Sequence, residues 1–546
     1  MSNGVRRAGV ALAVLLAPVF IQSFEAGARQ ASCLVTTTSG AVQGTDAGSS
    51  CAFLGIPYAA PPINALRWRP PQPAAPWATT LNVITPPPNC PNVNNGPPQG
   101  NEDCLRMNIW VRDPLPTTPA PVIVWLHTGG FVAASANFAG HNGRRLVEET
   151  GVIVVAPNYR VGPLGFLAHP ALSAENPNHP TSGNYGLLDQ RLAMQWVRDN
   201  IAAFGGDPNN VTIAGTSAGG DSTGLHLVLP GSGGLFHRAI VQSGTPTIRW
   251  PELTESLAQG NTFATAIGCT DPATVVTCMR GKTFQQVLTA MPLGSQEVVE
   301  RAGRAYWYPT VDGVELPAQP RILFETGQFH QVPTMVGATR DEGAGNFLIR
   351  SFPSATLAQY ESWVATEFGP DAAAVLGLYP ASDYPLPADA LARIVGDGQF
   401  VCECRRLARA FSSVHVPLYV FSYEYEIDDL AQDRVIHGVE ANILFRNDYV
   451  LPQFASHPLN AFDNALHGQM AGYWTRFAAT GNPNADDDTV VHWQTFRHPL
   501  GEGRGADRYL VLDQTIRSDK RLRESACDFW ELRSLRSMLT GLPAWQ

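Results

Sequence analysis

The chain has 546 residues, a formal net charge of −10 and 44% hydrophobic residues. That is enough apolar material for a large buried core. The acidic balance argues against nucleic acid, whose phosphate backbone needs a basic footprint.

In chain order, Arg6 and Arg7 precede the apolar run Ala8 to Ile21, and Ala26-Gly27-Ala28 offers a small-x-small cleavage site. The run is about fourteen residues long, too short to span a bilayer. Residues 1–28 therefore read as a signal peptide, and an exported protein without stable membrane insertion is expected. No later run is long and apolar enough to span a membrane, and no clear linker divides residues 29–546, so one domain is expected there. Nine cysteines in an exported chain imply disulfides plus one leftover thiol. Cys90 with Cys104 and Cys269 with Cys278 would close short loops, and Cys527 is placed to tie down the C-terminal end. Cys402-Glu403-Cys404 is too close for the usual zinc pair, and no other metal-ligand spacing occurs. Neither a metal nor an organic cofactor is expected.

Pro121 to Leu126 and Gly151 to Ala156 are short, almost wholly apolar runs, as suits strands buried on both faces of a parallel sheet. Leu187 to Phe204 carries apolar residues at helical spacing and precedes a strand at 211–215. Leu235 to Gln242 and Gln331 to Gly337 read as further strands, and the Pro- and Gly-rich stretches 59–76, 86–100 and 380–388 as surface loops. Strands alternating with helices predict an α/β sheet covered on both sides.

The most informative stretch is Val211 to Gly220, a β-branched strand running into Gly-Thr-Ser-Ala-Gly. This is the pattern of a nucleophile elbow, which pushes Ser217 into a strained, exposed position on a strand-to-helix turn. Gly215 and Gly219 then sit where strand and helix come too close for a Cβ. The pattern repeats at Gly220 to Gly224, but no strand runs into it, and Ser222 would fall inside the following helix.

Acyl transfer by serine also needs a base, an acid to orient it, and donors for an oxyanion. In α/β hydrolases the acid and the histidine follow the serine in that order. His437 precedes a glycine in Val435-Ile436-His437-Gly438-Val439-Glu440, a loop leaving the sheet edge. His467 also precedes a glycine but lies in the helical stretch Ala465 to Phe477. Asp341-Glu342-Gly343 follows the strand at 331–337, at the sheet end where α/β sites form. Local pattern does not choose between Asp341 and Glu342. His127-Thr128-Gly129-Gly130-Phe131 follows the strand at 121–126, and its unhindered amides suit an oxyanion hole. One such donor is worth roughly 3–4 kcal/mol of transition-state stabilisation.

Several further segments carry a family resemblance. They are Phe53 to Ala59, Glu102 to Leu105 with Asn108 to Trp110, Asn158-Tyr159-Arg160, Gly183 to Gln190, and Phe204 to Pro208. Through them the chain resembles the type B carboxylesterases, the family of cholinesterases and bacterial para-nitrobenzyl esterases, over nearly all of residues 35–535. The resemblance implies an α/β-hydrolase fold with a large, mostly parallel central sheet and helices on both faces. It implies Ser217, Glu342 and His437 as the triad, Gly129, Gly130 and Ala218 as oxyanion donors, and Ser243 as a supporting serine nearby. It implies hydrolysis of a small-molecule carboxylic ester through an acyl-enzyme. It also implies disulfides Cys90–Cys104, Cys269–Cys278 and Cys402–Cys527. Cys33, Cys51 and Cys404 remain; Cys33–Cys51 would staple the first hairpin and leave Cys404 free, with Cys402 and Cys404 interchangeable on sequence grounds.

Two departures are informative. Thr216 stands before the serine where the family usually has Glu, and Thr128 begins the glycine run where it usually has Gly. Neither removes a backbone donor. The loop between Cys90 and Cys104 has no aromatic residue, where cholinesterases hold a cation by cation–π attraction, so no choline preference is expected. Ala302-Gly303-Arg304-Ala305 lacks the bulky aromatics of enzymes restricted to small acyl groups, so a roomy acyl pocket is expected. A lipase, a specialised aromatic-diester, polyester or toxin esterase, and a non-catalytic cholinesterase-like binding protein are the alternatives. The first lacks support from any long apolar lid segment, and the last from the presence of all three triad candidates.

Overall fold

The computed structural model describes residues 33–93, 96–175, 177–291, 307–345, 354–411, 414, 416–426, 434–447, 458–485, 491–496 and 507–540, together with residues 1 and 4. The expected signal segment and the acyl-pocket stretch Ala302 to Ala305 lie outside the described residues.

Fourteen strands are described: β1 (Leu34–Thr37), β2 (Gly40–Gln43), β3 (Thr45–Asp46), β4 (Ser50–Pro57), β5 (Leu81–Asn82), β6 (Arg106–Arg112), β7 (Ala120–Leu126), β8 (Ile153–Pro157), β9 (Gly206–Thr216), β10 (Arg238–Gln242), β11 (Thr334–Thr339), β12 (Leu418–Tyr423), β13 (Arg508–Leu512) and β14 (Arg517–Lys520). Eleven form one sheet in the order β14-β13-β12-β11-β10-β9-β7-β8-β6-β4-β3. The strands from β13 to β8 in that order run parallel, and the outer ones pair antiparallel. β1, β2 and β5 form a small separate sheet.

Side-chain alternation along the strands divides the core. Val122, Val124, Val211, Ile213, Val241 and Val336 pack on one face with Leu187 and Met194 of the helix Tyr185–Asn200 and Leu225 of the helix Ala218–Val228. Ile123, Trp125, Ala214, Ile240 and Met335 pack on the other with Met470, Trp474 and Phe477 of the helix Ala461–Thr480. Both faces are therefore buried, as the unbroken apolar runs require. A third cluster gathers Tyr360, Val364, Phe368 and Ile394 around Trp530 of the C-terminal helix.

Some boundaries differ from expectation. β11 begins at Thr334, because Pro333 has no N–H to continue the ladder. The stretch 380–388 is not all loop: a 3₁₀ turn spans Ala381–Asp383, and the helix Pro387–Gly396 starts on a proline, which the first turn tolerates.

Four disulfides join Cys33–Cys51, Cys90–Cys104, Cys269–Cys278 and Cys402–Cys527, and Cys404 is free and buried. Cys402 and Cys404 lie on the helix Cys402–Ala410, where two residues differ by about 200° in direction. Cys402 therefore meets Cys527, whereas the Cys404 thiol lies against the Gly244 and Gly337 carbonyls at 3.6 and 3.5 Å. No helix among the described residues is long and apolar enough to cross a membrane.

Candidate active site

β9 ends at Thr216 and the helix Ala218–Val228 begins at once, leaving Ser217 to make the whole turn at φ 58° and ψ −127°. Such a conformation costs a non-glycine residue about 1–3 kcal/mol and persists only where its surroundings enforce it. Here the Ser217 amide donates to the Gln242 carbonyl at 3.0 Å, and the Ser217 carbonyl accepts from Asp221 N–H at 2.8 Å. The flanking glycines are obligatory: a Cβ on Gly219 would stand 2.0 Å from the Leu126 carbonyl oxygen, and one on Gly215 would stand 2.5 Å from the Gly219 backbone. Ser222 is buried in the helix and accepts from the Gln190 side chain at 3.0 Å.

The glycine loop leaves the end of β7 beside this turn. Gly129 and Gly130 adopt φ 118° and 60°, and a Cβ on Gly129 would stand 2.2 Å from the Ala133 carbonyl oxygen. The Val132 and Ala133 amides both donate to the Gly129 carbonyl at 3.0 Å. Among the described residues, the amides of Gly129, Gly130 and Ala218 have no acceptor within the fold. His127 supports the loop from below. Its ring stacks on Tyr159 at 3.9 Å, and the Tyr159 hydroxyl donates to the His127 carbonyl at 2.7 Å. Burial pushes the His127 pKa down to about 4, so its ring is neutral.

The two acidic neighbours after β11 take different partners. Asp341 pairs with Arg340 and Arg393 at 2.8 and 2.6 Å and accepts from Val435 N–H at 3.0 Å. Glu342 turns inward and is fully buried. One oxygen accepts from the Ser243 hydroxyl at 2.6 Å and from Thr339 N–H at 2.7 Å; the other is hydrogen-bonded to Nδ1 of His437. Burial opposes a charged imidazole at His437, but the facing Glu342 carboxylate outweighs it and holds the pKa above the ordinary histidine value. The Phe400 ring packs on the imidazole at 4.8 Å, carried by the π-helical turn Asp397–Val401. Gly438, at φ 81°, turns the chain from His437 into the helix Val439–Phe445.

A side-chain contact ties the loop bearing His437 to the elbow: the Thr216 hydroxyl donates to Glu440 at 2.9 Å. Ser217, Glu342 and His437 thus sit at the same end of the sheet, beyond β9, β10 and β11. His467 lies elsewhere, bonded to the Ile443 carbonyl at 2.8 Å and to Glu149. Glu440, Phe400 and the Thr339 amide carry no signal in the sequence pattern. The one available hint is that Glu440 lies a helical turn beyond His437.

A mostly parallel sheet with a serine elbow at one strand end and a carboxylate–histidine pair beyond later strands defines an α/β hydrolase. The chain belongs to the carboxylesterase family, whose model matches residues 31–530. It is similar to a fumonisin B1 esterase from Sphingopyxis macrogoltabida, with 37% identity over 489 residues that cover 86% of this chain and 87% of that protein. The protein is an enzyme that hydrolyses carboxylic esters.

Proposed function

We propose that Ser217 is the nucleophile of this esterase, His437 its base and Glu342 the acid that orients the base. His437 takes the Ser217 proton as the hydroxyl oxygen attacks the ester carbonyl. The amides of Gly129, Gly130 and Ala218 hold the oxyanion. The alcohol leaves with a proton from His437, and a water activated by His437 then releases the acid. Glu342 fixes the tautomer with the proton on Nδ1, leaving Nε2 free to accept. The observation that carries this reading is the buried Glu342 carboxylate, held by Ser243 and Thr339 and bonded to His437.

The acyl pocket is roomy in this reading, and acetylcholine and neutral esters of its size are hydrolysed at near-equal rates. The likeness to a fumonisin B1 esterase favours a more specialised second reading, in which the substrate is a toxin ester. Residues 1–28 act as a signal peptide and residues 29–546 as one exported domain; the four disulfides agree with an oxidising compartment.

The test is hydrolysis of p-nitrophenyl esters from acetate to octanoate, and of fumonisin B1, by wild type and Ser217→Ala. Loss of every activity in the variant is expected. Equal activity in both proteins would reassign the nucleophile. A rate on fumonisin B1 far above the p-nitrophenyl series would favour the specialised reading.

A further inference from the structure

The chain repeats the elbow pattern at Gly220-Asp221-Ser222-Thr223-Gly224, and the triad reaction uses none of it. In the fold this repeat is the ridge on which the segment after β10 is seated. A Cβ on Gly220 would stand 2.5 Å from the Gln242 carbonyl oxygen, and one on Gly224 would stand 2.4 Å from the Pro246 ring. The segment after β10 therefore presses directly on the helix Ala218–Val228. Between the two glycines, one helical turn beyond Ser217, Asp221 is buried. Its Oδ1 accepts twice from Thr245, from the backbone N–H and from the hydroxyl at 3.1 Å.

Thr245 lies two residues beyond Ser243, whose hydroxyl donates to Glu342 at 2.6 Å. Ser243 stands at φ 47°, a left-handed conformation that a non-glycine residue keeps only where its surroundings enforce it. On one side its amide is held by the Gly337 carbonyl at 2.7 Å. On the other side the segment is held first by Asp221 on Thr245, and then by Glu403, which accepts from the Thr247 hydroxyl at 2.7 Å. Asp221, Ser243, Thr245, Thr247 and Glu403 are all buried, so a donor that loses its acceptor here is left unsatisfied.

We propose that Asp221 is a positioning residue for ester hydrolysis: by holding Thr245 against the helix that follows the nucleophile, it fixes the strained Ser243 so that the Ser243 hydroxyl stays on Glu342 and Glu342 stays aimed at His437. This rests on the reading of Ser217, Glu342 and His437 as the triad.

The experiment uses the full chain and p-nitrophenyl butyrate, with Asp221→Ala, Asp221→Asn, Thr245→Val, Thr245→Ser, Ser243→Ala, the Asp221→Ala/Ser243→Ala double variant and Ser217→Ala. In Asp221→Ala, kcat is expected to fall about tenfold or more with KM near the wild-type value, because a slightly misplaced reacting group is slow even when substrate binds normally. Asp221→Asn keeps an acceptor oxygen for Thr245 and is expected to recover most of that loss. The double variant should be about as impaired as the worse single one, because Asp221 acts through Ser243. Thr245→Val is expected to lower kcat and Thr245→Ser to keep most of it. Wild-type kcat in Asp221→Ala, or a rise in KM alone, would overturn the proposal. Asp221→Asn as impaired as Asp221→Ala would also overturn it, since the charge and not the hold on Thr245 would then matter. So would a double variant impaired by the product of the singles. If Asp221→Ala does not fold, the Thr245 pair decides, and equal kcat in the Val and Ser variants overturns the proposal. Activity surviving in Ser217→Ala would instead overturn the underlying reading of the triad.

Discussion

His141 is buried against Trp125 and Phe445, with ring centroids 5.2 and 5.9 Å away, and its Nδ1 has no partner among the described residues. Burial, helped by His127 nearby, lowers its pKa from 6.5 to about 3. The folded pKa thus lies below the unfolded one, so the unfolded chain takes up a proton as pH falls through 6.5 while the folded chain does not. His141 consequently imposes no cost above that pH and a growing one below it. Each pH unit below 6.5 costs about 1.36 kcal/mol, so at pH 5 the penalty is about 2 kcal/mol. His141→Phe keeps a ring in the pocket and removes the titration. Urea unfolding of wild type and variant at pH 7 and pH 5 isolates the effect, because every other titrating group is common to both. The variant is expected to gain about 2 kcal/mol on wild type between the two pH values. An unchanged difference at both pH values would refute the reasoning and mean that His141 is solvated or already charged in the folded protein.

The site and its supports give three other expected outcomes. The acid limb of kcat/KM falls as pH drops through a value above 6.5, because His437 must be neutral to accept a proton and Glu342 holds it charged to higher pH; a limb well below 6.5 in the pH–rate profile would contradict that. Ser243→Ala removes the 2.6 Å donor to Glu342 and leaves Thr339 N–H on that oxygen. With a hydrogen bond to a charged group worth about 1.5–3 kcal/mol, kcat is expected to drop roughly tenfold or more at constant KM, whereas a changed KM alone in steady-state kinetics would point to a role in binding. The Cys402→Ser/Cys527→Ser variant opens a loop spanning 125 positions, for which the chain-entropy model gives roughly 4–5 kcal/mol. Its thermal midpoint should fall by several degrees, and an unchanged midpoint would show that packing around Trp530 alone holds the C-terminal helix.

Legibility varied with how local each signal is. The elbow is read from five residues because its requirement is steric and short-range: Gly215 and Gly219 are needed wherever a strand turns this sharply into a helix. The buried strands are equally plain, since a parallel strand covered on both faces must be apolar throughout. Where β11 and the helix Pro387–Gly396 begin, prolines set the limits, but whether Pro333 ends an extended run or Pro387 opens a helix depends on the segments against which each one packs.

Adjacent side chains at a chain turn point in different directions, so nothing local tells Asp341 from Glu342. The turn sends Asp341 toward Arg340 and Arg393, and Glu342 toward Ser243 and His437. The same holds for Cys402 and Cys404, which a helix turns to opposite sides. Glu440 could be read only as an acid in a helix, because its partners Thr216 and Gln242 lie 224 and 198 positions away.

The sequence by itself determined the layered α/β architecture, the serine elbow and the glycine loop, because each follows from the periodicity, sterics or chemistry of neighbouring residues. Local pattern left open, and the tertiary structure decided, which acid meets the histidine, which cysteine stays free and which buried carboxylate joins the elbow to the histidine loop. Those are choices of direction between segments more than ninety positions apart, and a side chain's direction is set by the packing of the whole sheet.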